Sequence, residues 1–163
     1  MVVATTLMGI FRAEDIREQY RQMRQLQRIL SMLESEIRYG RTHLGEAFLH
    51  ISRQVQEPYR SWLLSMQKDM EQTDAGTFEE IWIRGVEENL KKSGLSKKEL
   101  ERLIQLGGQF GAMDVKLQLR VLELYQEQLS LNMKDAWENI KMRVRLCHCL
   151  GVMSGMLIAI LLI

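Results

Sequence analysis

Few residues in this chain have the type and spacing that chemistry needs. Cys147, His148 and Cys149 are the densest group of soft metal ligands. On a helix, consecutive side chains diverge by about 100°, so these three cannot converge on one zinc ion. Glu34 and Glu36 are paired carboxylates, the residue type used for general acid–base work, but two apart on a helix they face different ways. Gly107, Gly108 and Gly111 form a glycine cluster, yet no Gly-Lys-Ser/Thr follows that could cradle a phosphate. His43 and His50 are seven apart and have no acidic or thiol partner at ligand spacing, which places them at the core edge or the surface. No catalytic residue, cofactor site or metal site is predicted, and the chain reads as a protein that is not an enzyme.

Three patterns suit binding instead. Arg17, Arg21, Arg24 and Arg28 fall on one helix face, opposite an apolar stripe. Such a face contacts anionic membrane lipid or an acidic partner, or it is simply solvated. Gly151 and Gly155, with Ala159 four further on, have the small-residue spacing that lets transmembrane helices approach closely, for self-association or for pairing with the first helix. Glu34, Glu36, Tyr39 and Gly40 read as a helix end and turn, with Tyr39 packed over the second helix, or as a turn that binds a partner. The net charge of +1 supplies no field to recruit nucleic acid.

These patterns need helices to position them. The 163 residues suffice for one domain with a real core, and 46% hydrophobic with 26% charged residues is a globular balance. One proline and an excess of Met, Leu, Gln, Glu, Lys and Arg favour helices. Met23, Leu26, Ile29, Leu30, Leu33 and Ile37 recur at helical spacing up to Tyr39, where Gly40 should close the helix in a left-handed cap. A second helix is predicted over 42–56, and Pro58 should sit in the first turn of a third. Thr77 with Glu80 is a capping box that opens a fourth helix ending near Gly94, and Ser96 with Glu99 is a second box that opens a fifth. The three glycines should break or weaken that fifth helix, and Asp114 can cap a sixth. The sixth is apolar on two sides: Leu117, Val121, Leu124 and Leu131 on one, Leu119, Leu122, Met133, Trp137, Ile140 and Val144 on the other. That double stripe predicts a central helix. The fold class is therefore all-α, an antiparallel bundle of about six helices.

The two ends differ from the middle. Residues 146–163 carry one ionisable side chain, His148, and a helix of roughly 18 residues spans about 27 Å, close to the hydrocarbon thickness of a bilayer. Residues 1–11 are apolar but only about 16 Å long as a helix, which reads as a partial transmembrane helix whose start codon is set too late. Lys134, Lys141, Arg143 and Arg145 precede the C-terminal span, and Arg12 with the first-helix arginines follows the N-terminal one. The positive-inside rule then places a bundle of residues 12–145 in the cytoplasm.

Leu33-Glu34-Ser35-Glu36-Ile37-Arg38-Tyr39-Gly40-Arg41-Thr42-His43-Leu44-Gly45-Glu46-Ala47 resembles the L-E-x-E-I-x-Y-G-x-T-x-L-x-x-A pattern of the stage III sporulation protein AB family. Val2 to Thr6 is similar to the end of that family's first membrane helix. Gly111, Asp114 and Gln118 match a second family segment, in which Val115 stands where the family has Arg. The resemblance implies a role in endospore formation, within a channel complex that links mother cell and forespore. It places the chain in the mother-cell-side, outer forespore membrane. It also implies a bundle similar to the platform domains of type II secretion and type IV pilus systems. Its implied partners are other membrane proteins of the sporulation operon and a secretion-type ATPase. The sequence supports a scaffold without enzymatic activity, with a membrane-tethered adaptor for one soluble protein as the alternative.

Overall fold

Long helices form where apolar periodicity runs without proline or a turn, and the two longest lie at the chain's ends. The computed structural model describes the backbone of residues 2–40, 43–72, 74–110 and 114–162, and side chains within 14–142 together with Arg145, Leu146 and Cys149. Among the described residues there are six helices and no strand: α1 Val2–Tyr39, α2 Leu44–Ser52, α3 Tyr59–Glu71, α4 Phe78–Asn89, α5 Lys97–Phe110 and α6 Val115–Leu162. Each helix packs on the next in sequence, and α6 closes the ring against α1. The α1–α6 pair is antiparallel: Arg38 meets Glu123, Glu34 meets Gln126, and Tyr20 meets Trp137. The N-terminal part of α1 and the C-terminal part of α6 therefore leave the bundle at the same end.

The core centres on Trp82, which is fully buried. It packs edge-on to Trp62 with centroids 5.2 Å apart and lies within 6.4 Å of Phe48, Phe78 and Phe110. Offset and edge-to-face contacts of this kind add about 1 kcal/mol each beyond area burial. Trp82 Nε1 donates to Leu103 O at 2.7 Å, so its polar edge is satisfied inside the core. The predicted apolar stripe of α1 is buried at Met23, Leu26, Ile29, Leu30 and Leu33.

Several local expectations are corrected. α5 runs through Gly107 and Gly108 unbroken. A Cβ at Gly107 would overlap the Trp82 ring, so this glycine exists to seat an indole and does not punctuate the helix. Gly40 is not left-handed; the positive-φ glycines are Gly76 and Gly94. A Cβ at Gly40 would instead collide with the Glu36 carbonyl oxygen, which accepts from Gly40 N at 2.7 Å. α2 is shorter than predicted, because Arg53 closes it and the chain must reach Pro58, which disfavours helix in the residue before it. Pro58 caps α3 and does not join its first turn.

The capping box of α4 is complete, with Thr77 Oγ1 accepting from Glu80 N and Glu80 Oε2 from Thr77 N. That of α5 is half made: Ser96 Oγ accepts from Glu99 N at 3.3 Å, but the Glu99 carboxylate turns inward. α6 is not central. It buries Leu122, Leu129 and Ile140 and leaves Leu117, Leu124 and Leu131 half exposed on its outer side. Trp137 also sits at the surface. Among the described residues no helix is long and apolar enough to cross a membrane. Apart from Leu146 and Cys149, the side chains of the predicted spans, 1–11 and 146–163, lie outside the described residues.

Candidate functional site

The basic residues of α1 share one surface. Arg17, Arg21, Arg24 and Arg28 are all exposed, as the spacing predicts. Arg21 pairs with Glu18 at 2.7 Å, one turn away. Glu18 also accepts from Gln22 Nε2 at 2.6 Å, and these two donors, Gln22 first, hold its carboxyl below the ordinary carboxylate value. One of the four arginines, Arg21, is thus matched within the helix, and Arg17 has a different setting. It shares an open groove of about 630 Å³ with Trp137, Ile140, Lys141, Met142 and Arg145 of α6. The Trp137 ring lies 5.5 Å from Tyr20, and Lys141 Nζ sits 5.6 Å from the Trp137 centroid. Three cations, one carboxylate (Glu138) and an exposed indole from two helices line it, at the end where α1 and α6 leave the bundle. Arg, Lys and Trp in this combination suit the polar–apolar boundary of a bilayer. Sequence reasoning missed this corner because it placed Trp137 in one of two stripes of α6 that were both expected to be packed; the adjacency of Lys141 four residues on was the available signal.

Several residues of the first motif hold helices together. Leu33 is fully buried, and Ile37 and Leu44 are half buried. Glu34 accepts from Arg38 at 2.6 Å and from Gln126 Nε2 of α6 at 2.8 Å, while Gln126 Oε1 accepts from Ser31. Arg38 also reaches Glu123 at 3.1 Å. Hydrogen bonds to these two carboxylates, Glu34 first, raise the guanidinium above its usual value. Glu34 is therefore the centre of a polar clasp between α1 and α6. Glu36 lies 3.8 Å from His50, so that histidine does have an acidic neighbour, contributed by another helix. Tyr39 is 79% exposed and does not pack over α2. Thr42 lies outside the described residues.

The second motif positions the start of α6. Asp114 Oδ1 accepts from Leu117 N at 2.9 Å, the predicted cap, and Gln118 Nε2 donates to Phe110 O of α5 at 3.0 Å. Gly111 lies outside the described residues. Between the ends, Glu99 is a buried carboxylate that no sequence pattern flagged as a tertiary contact. It accepts from Arg102 at 2.8 Å and from Asn132 of α6 at 2.7 Å. Nearby, burial pushes the Tyr125 phenol well above its ordinary value, and its hydroxyl lacks a partner among the described residues. Among the described residues no group of His, Cys, Asp and Glu could hold a metal ion. The helix backbone continues through Gly151, Gly155 and Ala159, whose surroundings lie outside the described residues.

A bundle clasped along its two longest helices, with its motif residues spent on capping and helix pairing, agrees with what comparison finds. A family profile described as stage III sporulation protein AB matches residues 1–163. The chain belongs to the stage III sporulation protein AB family. Stage III sporulation protein AB of Bacillus subtilis (strain 168) is 32% identical over 162 residues, 99% of this chain and 94% of the relative. A solved structure of stage III sporulation protein AB matches with a TM-score of 0.69 at 27% identity, covering 76% of this chain and 97% of that one. Membership in the stage III sporulation protein AB family implies a role in sporulation.

Proposed function

We propose that this protein is a membrane-anchored scaffold, without enzymatic activity, in the sporulation channel complex between mother cell and forespore. The bundle of residues 12–145 faces the cytoplasm of the mother cell, and residues 1–11 and 146–163 hold it to the outer forespore membrane. Its partners are membrane proteins of the same operon and a secretion-type ATPase. The observation that carries this reading is the shared exit of α1 and α6, flanked by Arg17, Trp137, Lys141 and Arg145. Two apolar chain ends leaving one end of a bundle, with a basic and aromatic collar at the exit, suit a domain seated on an anionic leaflet. Arg24 and Arg28 extend the collar along α1 toward acidic surfaces of a partner. Gly151, Gly155 and Ala159 supply close packing within the membrane.

The test is purification of the full-length protein from solubilised membranes of sporulating cells. A stable large complex containing the operon partners is expected, and charge reversal at Arg17 and Arg24 together should weaken its recovery. A small monomer that never co-purifies with those partners would replace the scaffold by a tethered adaptor. Single cysteines introduced at Gly76 and Lys92 should label only from the cytoplasmic side; labelling from the opposite side would reverse the topology.

A further inference from the structure

The outer face of α6 carries an apolar seam that the bundle leaves uncovered. Leu117, Leu124 and Leu131 recur every seven residues, and each is about half exposed (47%, 50% and 49%). Val121, half buried against the edge of the core, and the exposed Gln128 fall between them at the alternating three- and four-residue spacing of a two-stranded coiled coil. The buried residues Leu122 and Leu129 point the other way, into the bundle. We propose that this seam pairs with the same seam of a second copy, the two α6 helices running parallel.

Three features select a second copy. The layers are three leucines at one core position and, at the other, one valine, Val121, followed by Gln128; leucine with a β-branched residue is the combination that favours two parallel strands. Gln128 would meet its twin, and an amide can donate to and accept from an identical amide, which fixes register. Asp135 at the next core position would face Asp135 of the second copy, so the seam ends after Leu131. The flanks also match. On one side lies the exposed Glu127; on the other, Arg102 and Gln105 of α5 border a groove of about 240 Å³ with Val121, Leu124 and Gln128. Parallel pairing brings Glu127 of the second copy to the side of Arg102, which is also held by Glu99 of its own helix and is 28% exposed. The seam is only about 21 Å long, too short to hold two free chains together. Confinement in one membrane raises the effective concentration enough for a short seam to act. The parallel sense therefore rests on the anchoring proposed above.

The experiment uses the full-length chain in membrane vesicles, with Cys147→Ser and Cys149→Ser to remove background thiols. Leu117→Cys, Leu124→Cys and Leu131→Cys, introduced singly, should each form a disulfide-linked dimer under mild oxidation. Glu123→Cys, about 100° around the helix, should not. Adding Leu124→Glu should reduce cross-linking at positions 117 and 131 to the Glu123→Cys level while the circular dichroism is unchanged, since Leu124 is half exposed. Equal cross-linking at all four positions, none at the three leucines, or cross-linking only between Leu117→Cys and Leu131→Cys chains would overturn the proposal. Resistance to carbonate extraction, measured on the same vesicles, reports the anchoring separately.

Discussion

Gly107→Ala and Gly108→Ala make the same change one residue apart in α5, and they should shift stability in opposite directions. At Gly107 the new methyl would overlap Cγ and Cδ1 of Trp82 and lie 2.6 Å from its Nε1. Carbon atoms pack best at about 3.5–4.0 Å, so the ring would have to retreat by roughly 1 Å. It cannot do so freely, because Trp62, Phe48, Phe78 and Phe110 enclose it. Overpacking of a closed core costs about 1–3 kcal/mol, and loss of the bond from Trp82 to Leu103 O costs about 1 kcal/mol more. Replacing glycine inside a helix returns about 1 kcal/mol. The net loss is about 1–3 kcal/mol, which at about 2–4 °C per kcal/mol lowers the melting temperature by about 6 °C at mid-range. At Gly108 the nearest atom is Glu79 Oε1 at 2.8 Å, the end of a flexible and exposed side chain that can swing aside. There the helix term survives, and the melting temperature should rise by about 3 °C. Thermal unfolding of both variants, followed by circular dichroism in one detergent, decides the matter. Shifts of the same sign would refute the seating argument. So would strict additivity of Gly107→Ala with Trp82→Leu, since a methyl that clashes with the indole must couple to it.

Glu99→Ala should lower stability by about 2 kcal/mol, because Arg102 and Asn132 lose a charged acceptor at a buried site; urea unfolding measures it, and a change under about 0.5 kcal/mol would mean the contact is idle. Glu34→Ala should cost about 1 kcal/mol and speed amide exchange at the C-terminal end of α1, where the clasp to Gln126 and Arg38 is lost. Glu18 has a folded value below its ordinary 4.5, so its contribution is complete above that pH and fades as pH falls through the lower folded value. Glu18→Gln should therefore flatten the acid side of the stability profile, and an unchanged slope below pH 4.5 would count against the hydrogen bonds from Gln22 and Arg21.

What could be read in advance was local. Caps need only residues three apart, so Thr77 with Glu80 and Asp114 with Leu117 N were legible. The single apolar stripe of α1 was legible because one face leaves no choice about what is buried. α6 offered two stripes, and periodicity cannot tell which of them meets a neighbour; the structure buries the Leu122–Leu129 side and leaves Leu117, Leu124 and Leu131 outside. Gly107 looks like a helix breaker until its partner is known, and that partner, Trp82, is on another helix. Glu99 fits a capping box by spacing, yet its carboxylate is claimed by Asn132, 33 residues further on. Tyr39 has the bulk of a core residue but sits exposed at a helix end.

The α1–α6 pair is held partly by polar contacts. Its far end is joined by Glu34, Arg38, Glu123 and Gln126, groups open enough to water that solvent screens their pairing. The four shorter helices are joined through Trp82 and its aromatic neighbours, where loss of one side chain costs several times more. A bundle that is firm in α2–α5 and held to its long helices partly by polar surface contacts keeps its shape while the outer side of α6 stays available. That outer side and the Arg17–Trp137 corner lie on the two helices that continue beyond the bundle. Any load carried by those extensions reaches these two places along continuous backbone, through helix hydrogen bonds, without crossing a loop. A domain built this way suits a fixed platform better than a tethered adaptor, since a partner seated on α6 would be held at a set height and orientation relative to the chain ends.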